Sequence, residues 1–455
     1  MQRILKQKLF VLLLIVAGSP LSAQEILNRY IGEGLSNNLL LIEKKGNLEK
    51  SLLSLKEAKS LFLPTTWLET QYTLASGGRS IDIPVGDLLN PVYTTLNQLT
   101  SSNAFPKIAN VSEQLTPDNF YDARIKTILP LINPDLHINR DIKEQQVSLQ
   151  QNEIEIYKRE LVREIKTAYY QYRMATQAIS IYENALVVVR QNVKVNQSLL
   201  DNGKGLYAYI SRAESEVSTV EAELQSAKND QNNAQAYFNF LLNKPLSDPI
   251  LTDPVNMQAI VYTDLPVPDS TVVNKREEIK GLQIARSIGN NVLKMNRAYG
   301  TPRLNTFLDL GSQGFDFKVN NKSFFYLAGL QLQVPLFTGK RNLYKIGQTQ
   351  IDLKNLSVTT THTLKQLELA AFVSRNNVLN AYHNYLSAVK QQEAAQRYFT
   401  LIDRGYKEGI NSFIEQLDAR NQLTGSQLQV NIQTFRYYSA LADYERQTAT
   451  YSFNQ

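Results

Sequence analysis

The 455-residue chain contains no cysteine. That excludes a disulfide framework, thiolate metal sites and cysteine nucleophiles, and it leaves no cysteine for an N-terminal lipid anchor. Histidine is nearly absent too. His137, His362 and His383 are the only three, none with a carboxylate or second histidine at metal-ligand spacing, so no metal, cofactor or catalytic constellation is expected. Long apolar runs are also missing. Mean hydropathy is −0.29, and only one segment approaches the roughly 18 apolar residues of a membrane helix, which excludes a bundle of such helices. That segment, Leu9–Ala17, follows Arg3, Lys6 and Lys8 and precedes LSAQ. It reads as a secretory signal peptide over residues 1–24, with cleavage after Ala23. Its removal takes three cations and no acid, half of the formal charge of +6. A nearly balanced mature chain implies no nucleic-acid partner.

Proline is missing where it would do harm. None lies between Pro134 and Pro245, and none follows Pro335. A proline inside a helix costs about 3 kcal/mol, so these stretches suit long helices. In the first, Leu161, Ile165, Ala168, Tyr172, Ala175, Ile179, Tyr182, Leu186, Val189 and Val193 step by four and three, the spacing of a coiled-coil seam. The pattern restarts after Gly203 with Ile210, Ala213, Val217, Val220, Leu224 and Ala227. Helices over residues 142–200 and 206–242 would run roughly 85–90 Å and 55 Å. The second stretch behaves alike through Leu364, Leu367, Ala371, Val378, Ala381, Tyr385 and Ala388, then turns near Gly405–Gly409. Asn421, Thr424 and Asn431 interrupt its last seam.

The halves repeat. LPLINP around Pro130 matches VPLFTG around Pro335, and Gly203 precedes Ala213 as Gly409 precedes Ala419. The expected organisation is a first repeat over 25–242, a Pro/Asp-rich segment over 243–273 and a second repeat over 274–455. Each repeat holds a helix, two extended segments and a long helical hairpin. The extended segments alternate. Leu304, Thr306, Leu308 and Leu310 oppose Asn305, Phe307 and Asp309; Leu330, Leu332 and Val334 oppose Gln331 and Gln333; Leu68, Tyr72 and Leu74 oppose Glu69, Gln71 and Thr73. Such segments suit barrel strands with lipid on one side and water on the other. Taken singly, they suit a small sheet capping a helical bundle equally well. Four strands cannot close a membrane barrel, which needs about eight, and open edges are not tolerated in lipid. Strands that cross a membrane here would require several chains to share one barrel. The first repeat also carries an outer loop over about 78–117, too long and too apolar to be merely solvated.

The two P-L-[F/I]-x-[G/N] entries to long helices, the two G-x(9)-A turns and the order of elements make the chain resemble the TolC-like outer-membrane efflux protein family. RGYKEGINSFIEQLDARNQL, Arg404–Leu423, is similar to the family's Y-x-x-G-x-x-x-x-x-[D/E]-x-L-D-A segment. The resemblance implies a mostly α fold with a β membrane portion. Coiled-coil hairpins would form an α-barrel, with four strands per chain in a shared transmembrane β-barrel. It further implies a homotrimer in outer-membrane lipid with a periplasmic helical portion. Its partners would be a periplasmic adaptor protein and, through it, an inner-membrane RND or ABC pump. The implied function is the exit duct of a tripartite efflux pump or type I secretion system. A stand-alone porin and a secreted coiled-coil structural protein remain the alternatives.

The resemblance also carries site residues. Glu415 and Asp418, three apart on one helix face, match a periplasmic acidic ring. Tyr406 matches a tyrosine that ties neighbouring hairpins. Asn411 stands where some members have a gate arginine, and the first-repeat counterparts of Glu415 and Asp418 are Tyr209 and Arg212. The turns holding Gly203, Gly205, Leu206, Gly409 and Ile410 match the tips that meet the adaptor. By residue type alone, Glu415 and Asp418 are equally two solvated acids near a helix N-terminus, and the tips are ordinary connecting turns. GKGLYA (Gly203–Ala208) literally fits a dinucleotide fingerprint, yet it follows a long helix instead of a strand, so no cofactor site is expected there.

Overall fold

A computed structural model describes residues 22–252, 260, 265–267 and 273–453. The expected export signal up to residue 21 lies outside the described residues, as do parts of the Pro/Asp-rich segment (253–259, 261–264 and 268–272). In chain order the elements are α1 (Ser22–Asn37), α2 (Leu39–Ser60), β1 (Thr65–Thr73), β2 (Ser80–Ile83), α3 (Val85–Thr100), β3 (Val111–Gln114), β4 (Phe120–Ile132), α4 (Pro134–Asp201) and α5 (Tyr207–Leu241). They continue as α6 (Glu277–Arg297), β5 (Arg303–Phe315), β6 (Phe324–Gln333), α7 (Arg341–Lys407) and α8 (Phe413–Thr448). They divide between a helical unit within Met1–Leu52, Gln145–Gly289 and Ile351–Gln455 and a sheet unit within Leu53–Glu144 and Asn290–Gln350. Among the described residues, no helix is long and apolar enough to cross a membrane.

Helix α4 begins at Pro134, eight residues before the start expected from periodicity. The reason is local. Proline is well suited to the first helical position, where its missing N–H is not needed, and Asn133 Oδ1 accepts from Asp135 N at 3.2 Å. The seam residues Leu161, Ile165, Ala168, Leu186 and Val189 are buried, as are Ile210, Ala213, Val220 and Leu224 on α5. In the helical unit Tyr30 and Ile31 of α1 join Leu161, Ile165 and Tyr169 of α4 and Phe238 and Leu242 in one core cluster. Burial of each such side chain contributes about 1.5–3 kcal/mol. The second hairpin uses smaller residues: Ala371, Val378, Ala381, Ala388 and Ala395 are all buried on α7. Asn431, which interrupts the last seam, is buried too, and its Nδ2 donates to the Met174 carbonyl at 2.8 Å. The described part of the Pro/Asp-rich segment packs in two places: Ile250 joins the first cluster, while Ile260 joins Val378, Tyr437 and Tyr444, and the Tyr444 hydroxyl donates to the Pro266 carbonyl at 3.0 Å.

In the sheet unit the four long strands form one antiparallel sheet in the order β1-β4-β5-β6, leaving β1 and β6 as edges. The expected alternation holds in register. Ile125, Leu310 and Tyr326 align on one face, as do Thr306 and Leu330, and Leu304 and Leu332. Leu308, Leu310, Leu330 and Leu332 are exposed on the isolated chain. The other face carries the charges, set among aromatic residues: Arg124 pairs with Asp122 and lies 3.5 Å from Asp309, Lys126 lies 3.7 Å from Glu69, and Trp67, Phe307, Phe325 and Leu327 share the face. Two glycines make room on this face. A Cβ on Gly311 would stand 2.7 Å from Arg124 Cβ, and one on Gly329 would stand 2.8 Å from Phe307 Cζ. The first outer loop is itself folded. Strands β2 and β3 pair, and the Asn90 side chain holds Ile108 through both N–H and carbonyl at 2.9 Å each.

Candidate functional site

The helical unit presents two hairpin turns, and their backbones are copies at an offset of 206 residues. At the end of α4, Gly203 N donates to the Leu200 carbonyl at 2.9 Å and Lys204 N to the Leu199 carbonyl at 2.8 Å. At the end of α7, Gly409 N donates to the Tyr406 carbonyl at 3.1 Å and Ile410 N to the Gly405 carbonyl at 2.7 Å. Both are Schellman closures with glycine in the left-handed region, φ +69° and +78°, which satisfies carbonyls that a helix end leaves orphaned. Gly205 is required for another reason, since a Cβ there would meet the Leu200 backbone N at 2.6 Å. Leu206 and Ile410 point away from the packing, 58% and 76% exposed.

The two following helices start differently. Helix α8 opens with a capping box: Glu415 N donates to Ser412 Oγ at 3.3 Å and Ser412 N to Glu415 Oε2 at 2.7 Å. These bonds favour the carboxylate, and the backbone N–H of Ser412 leads in holding Glu415 below the usual glutamate range. Helix α5 has Leu206 at the same position, extended and without a side-chain cap. Asp418 is exposed one turn beyond Glu415. Both acids therefore sit on the open side of α8, as their spacing of three requires.

The buried side of the tips is where the two hairpins meet. Phe413 is 2% exposed and joins Leu417 and Ala213, with Val193, Tyr209 and Tyr406 packed against them. The Tyr406 hydroxyl donates to Asn196 Oδ1 at 3.4 Å, linking α7 to α4. Burial pushes the Tyr406 phenol up from its ordinary value. Around this bond lies a polar layer that residue type alone did not single out. Asn192 Nδ2 donates to Gln416 Oε1 at 2.9 Å, and Gln416 Nε2 reaches Asp403 Oδ1 at 3.3 Å. Arg420 Nη2 meets Glu216 Oε1 at 2.6 Å, with side chains only 4% and 10% exposed, and Arg212 approaches the other Glu216 oxygen at 3.7 Å. The available signal was spacing: Asn192 and Asn196, and likewise Gln416 and Arg420, stand four apart, on one face of a helix otherwise read as seam.

Long hairpins in two repeated copies, matched tips and a four-stranded sheet with its charges on one face stand beside a family match in the sequence. The family model described as outer membrane efflux protein matches residues 111–244 and 274–445. The chain belongs to the outer membrane efflux protein family. Members of this family lie in the cell outer membrane with a periplasmic helical part, and so does this chain. None of the curated proteins matches it by sequence. Among solved structures, CusC superposes with a TM-score of 0.76 at 13% identity, covering 93% of this chain and 92% of that one. The open state of the Neisseria gonorrhoeae MtrE outer membrane channel gives 0.74 at 16% identity, covering 93% and 88%. The Campylobacter jejuni CmeC outer membrane channel gives 0.72 at 13%, covering 93% and 85%. At these identities the likeness is one of fold.

Proposed function

We propose that the chain is the exit duct of a tripartite efflux pump or type I secretion system, assembled as a homotrimer. The observation that carries this is the sheet: four antiparallel strands with one apolar face, the charged residues confined to the other, and two unpaired edges, β1 and β6. In a bilayer an unpaired edge costs several kcal/mol per orphaned backbone group. Neighbouring copies that join β6 to β1 remove both edges, put Leu308, Leu310, Leu330 and Leu332 against lipid and turn Asp122, Arg124 and Asp309 to a wet lumen. The resemblance to TolC-like proteins supplies the number three. The duct has no energy source of its own, and an adaptor on the exposed Leu206 and Ile410 tips couples it to an RND or ABC pump.

The closed state is held at the tips. Glu415 and Asp418 of each copy form an acidic ring around the axis, and Tyr406 ties the two hairpins through Asn196. Six carboxylates gathered within about a Debye length, ~8 Å, attract cations and repel anions. The test is purification in detergent, measurement of the oligomer mass and single-channel recording in a planar bilayer. A trimer with cation-selective conductance is expected. A monomer without conductance refutes the duct. Glu415→Gln combined with Asp418→Asn is expected to reduce cation selectivity, and unchanged selectivity removes the gate from these residues.

A further inference from the structure

In the sheet unit, the end of β4 and the start of α4 enclose a shallow cavity of about 500 Å³. Leu131, Ile132, Ile138 and Ala298 form apolar parts of its wall, and His137 and Lys294 stand at it as well. Leu131 and Ile132 are 50% and 53% exposed. Ile132 is paired in register with Leu304, so the cavity continues the apolar face of the sheet.

Its depth follows from the strands. At the far end of the same face Phe324 pairs with Ser312, next to Tyr326 opposite Leu310. From Ser312 to Leu304 is roughly 26 Å of strand at about 3.3 Å per residue. At the usual tilt of about 40° that is roughly 20 Å of height, near the ~25 Å apolar band of outer-membrane proteins. Phe324 and Tyr326 then mark one interface and the cavity the other, on the periplasmic side where α4 begins.

The charge at this cavity is positive. Asp135, the acid of the first turn of α4, is held by Arg303 at 2.6 Å. Lys294 enters no ion pair among the described residues, and the start of a 68-residue helix adds the positive end of its dipole. The His137 ring is fixed edge-on against Phe62 at 4.8 Å. We propose that this cavity binds a glycerophospholipid of the periplasmic leaflet. The phosphate lies against Lys294 and His137, and one acyl chain follows Leu131 and Ile132 into the lipid-facing belt. A lipid bound there would fix the level of the barrel in the bilayer at the junction of strand and helix.

Native mass spectrometry of the detergent-extracted, full-length oligomer tests this, with dioleoylphosphatidylglycerol, dioleoylglycerol and inorganic phosphate as probes. A basic residue near a lipid surface is worth about fivefold in binding. Lys294→Gln should therefore weaken retention of phosphatidylglycerol about fivefold and Lys294→Glu, a change of two charges, about 25-fold. Leu131→Ser should weaken it with the cation intact, and dioleoylglycerol should be retained poorly. Unchanged oligomer mass in each variant separates lost binding from lost assembly. Wild-type retention in the Lys294 variants overturns the proposal. So does equal retention of dioleoylglycerol, which would mean an apolar annulus only, or displacement of the lipid by millimolar phosphate, which would mean a free-anion site.

Discussion

The Glu216–Arg420 pair allows the strength of the contact between the two hairpins to be calculated and measured. Its side chains are 10% and 4% exposed, and its closest approach is 2.6 Å. Burial acts first to lower the Arg420 pKa, and Glu216 opposes it. Removing one partner of a buried pair leaves the other charge uncompensated, at a cost of about 3–5 kcal/mol, whereas replacing both with apolar residues is nearly neutral. The structure makes the single changes unequal. Glu216→Leu strands Arg420, whose Nε already has no partner. Arg420→Met leaves Glu216 with Arg212 at 3.7 Å, an exposed and weak substitute worth up to about 1 kcal/mol. Opening of the tips is read by trypsin cleavage after Lys407, which lies in the last turn of α7. Where closing outpaces cleavage, the rate follows the open population. Each 1.4 kcal/mol is tenfold, so Glu216→Leu should raise cleavage by two to three and a half decades, about 100- to 3000-fold. Arg420→Met should raise it by up to about fivefold less, and the double variant should cut within about threefold of wild type. Wild-type cleavage in Glu216→Leu, or a double variant as fast as Glu216→Leu, refutes the reasoning.

Three further outcomes follow from the same tips and their supports. Ser412→Ala removes the capping box of α8 and should cost about 1 kcal/mol, seen as faster hydrogen exchange at Phe413–Glu415. Gly409→Ala and Gly203→Ala meet no atom within 4 Å, so each should cost only the left-handed backbone penalty of about 1–2 kcal/mol, measured as lowered thermal stability with unchanged oligomer mass. Acid should loosen the helical unit. Glu160 and Glu278 are partly buried, which opposes ionisation, yet Arg163 and Arg446 on the first and Arg276 and Arg446 on the second bring both below the ordinary range, as Ser412 does Glu415. Depressed folded values mean that this stability is fully present above the unfolded value of about 4.3 and is lost as pH falls through the folded ones. A thermal midpoint falling below about pH 4 is expected, and one that holds down to pH 2 would sink the assignment.

How much of this was legible in the sequence depended on how local the cause was. Prolines and left-handed glycines act on their own backbone, so the proline-free stretches and both turns near Gly203 and Gly409 could be read directly. The start of α4, set by Pro134 and Asn133, instead lay eight residues before the one read from the periodicity. Alternation is local as well, and Leu304, Leu308 and Leu310 took the face assigned to them. The folded interior of the first outer loop could not be read. Its strands have four residues each, Pro91 lies inside α3, and Asn90 reaches across to Ile108 to hold the piece together. The layer at the tips was hidden for the same reason, because Gln416 meets Asn192 and Arg420 meets Glu216 only after two distant hairpins are side by side. The repeat shows where that boundary falls. Its two turns share the pair of backbone hydrogen bonds that closes each helix, yet Leu206 and Ser412, Tyr209 and Glu415, and Arg212 and Asp418 share nothing chemically. Backbone geometry alone demands the glycines, so both halves retain them. The side chains answer to whatever each hairpin faces: α8 presents two acids on its open side, while α5 turns Tyr209 toward Phe413 and sets Arg212 beside Glu216. A repeated hairpin thus carries two different surfaces on one backbone, and at these matched positions only the second has two acids.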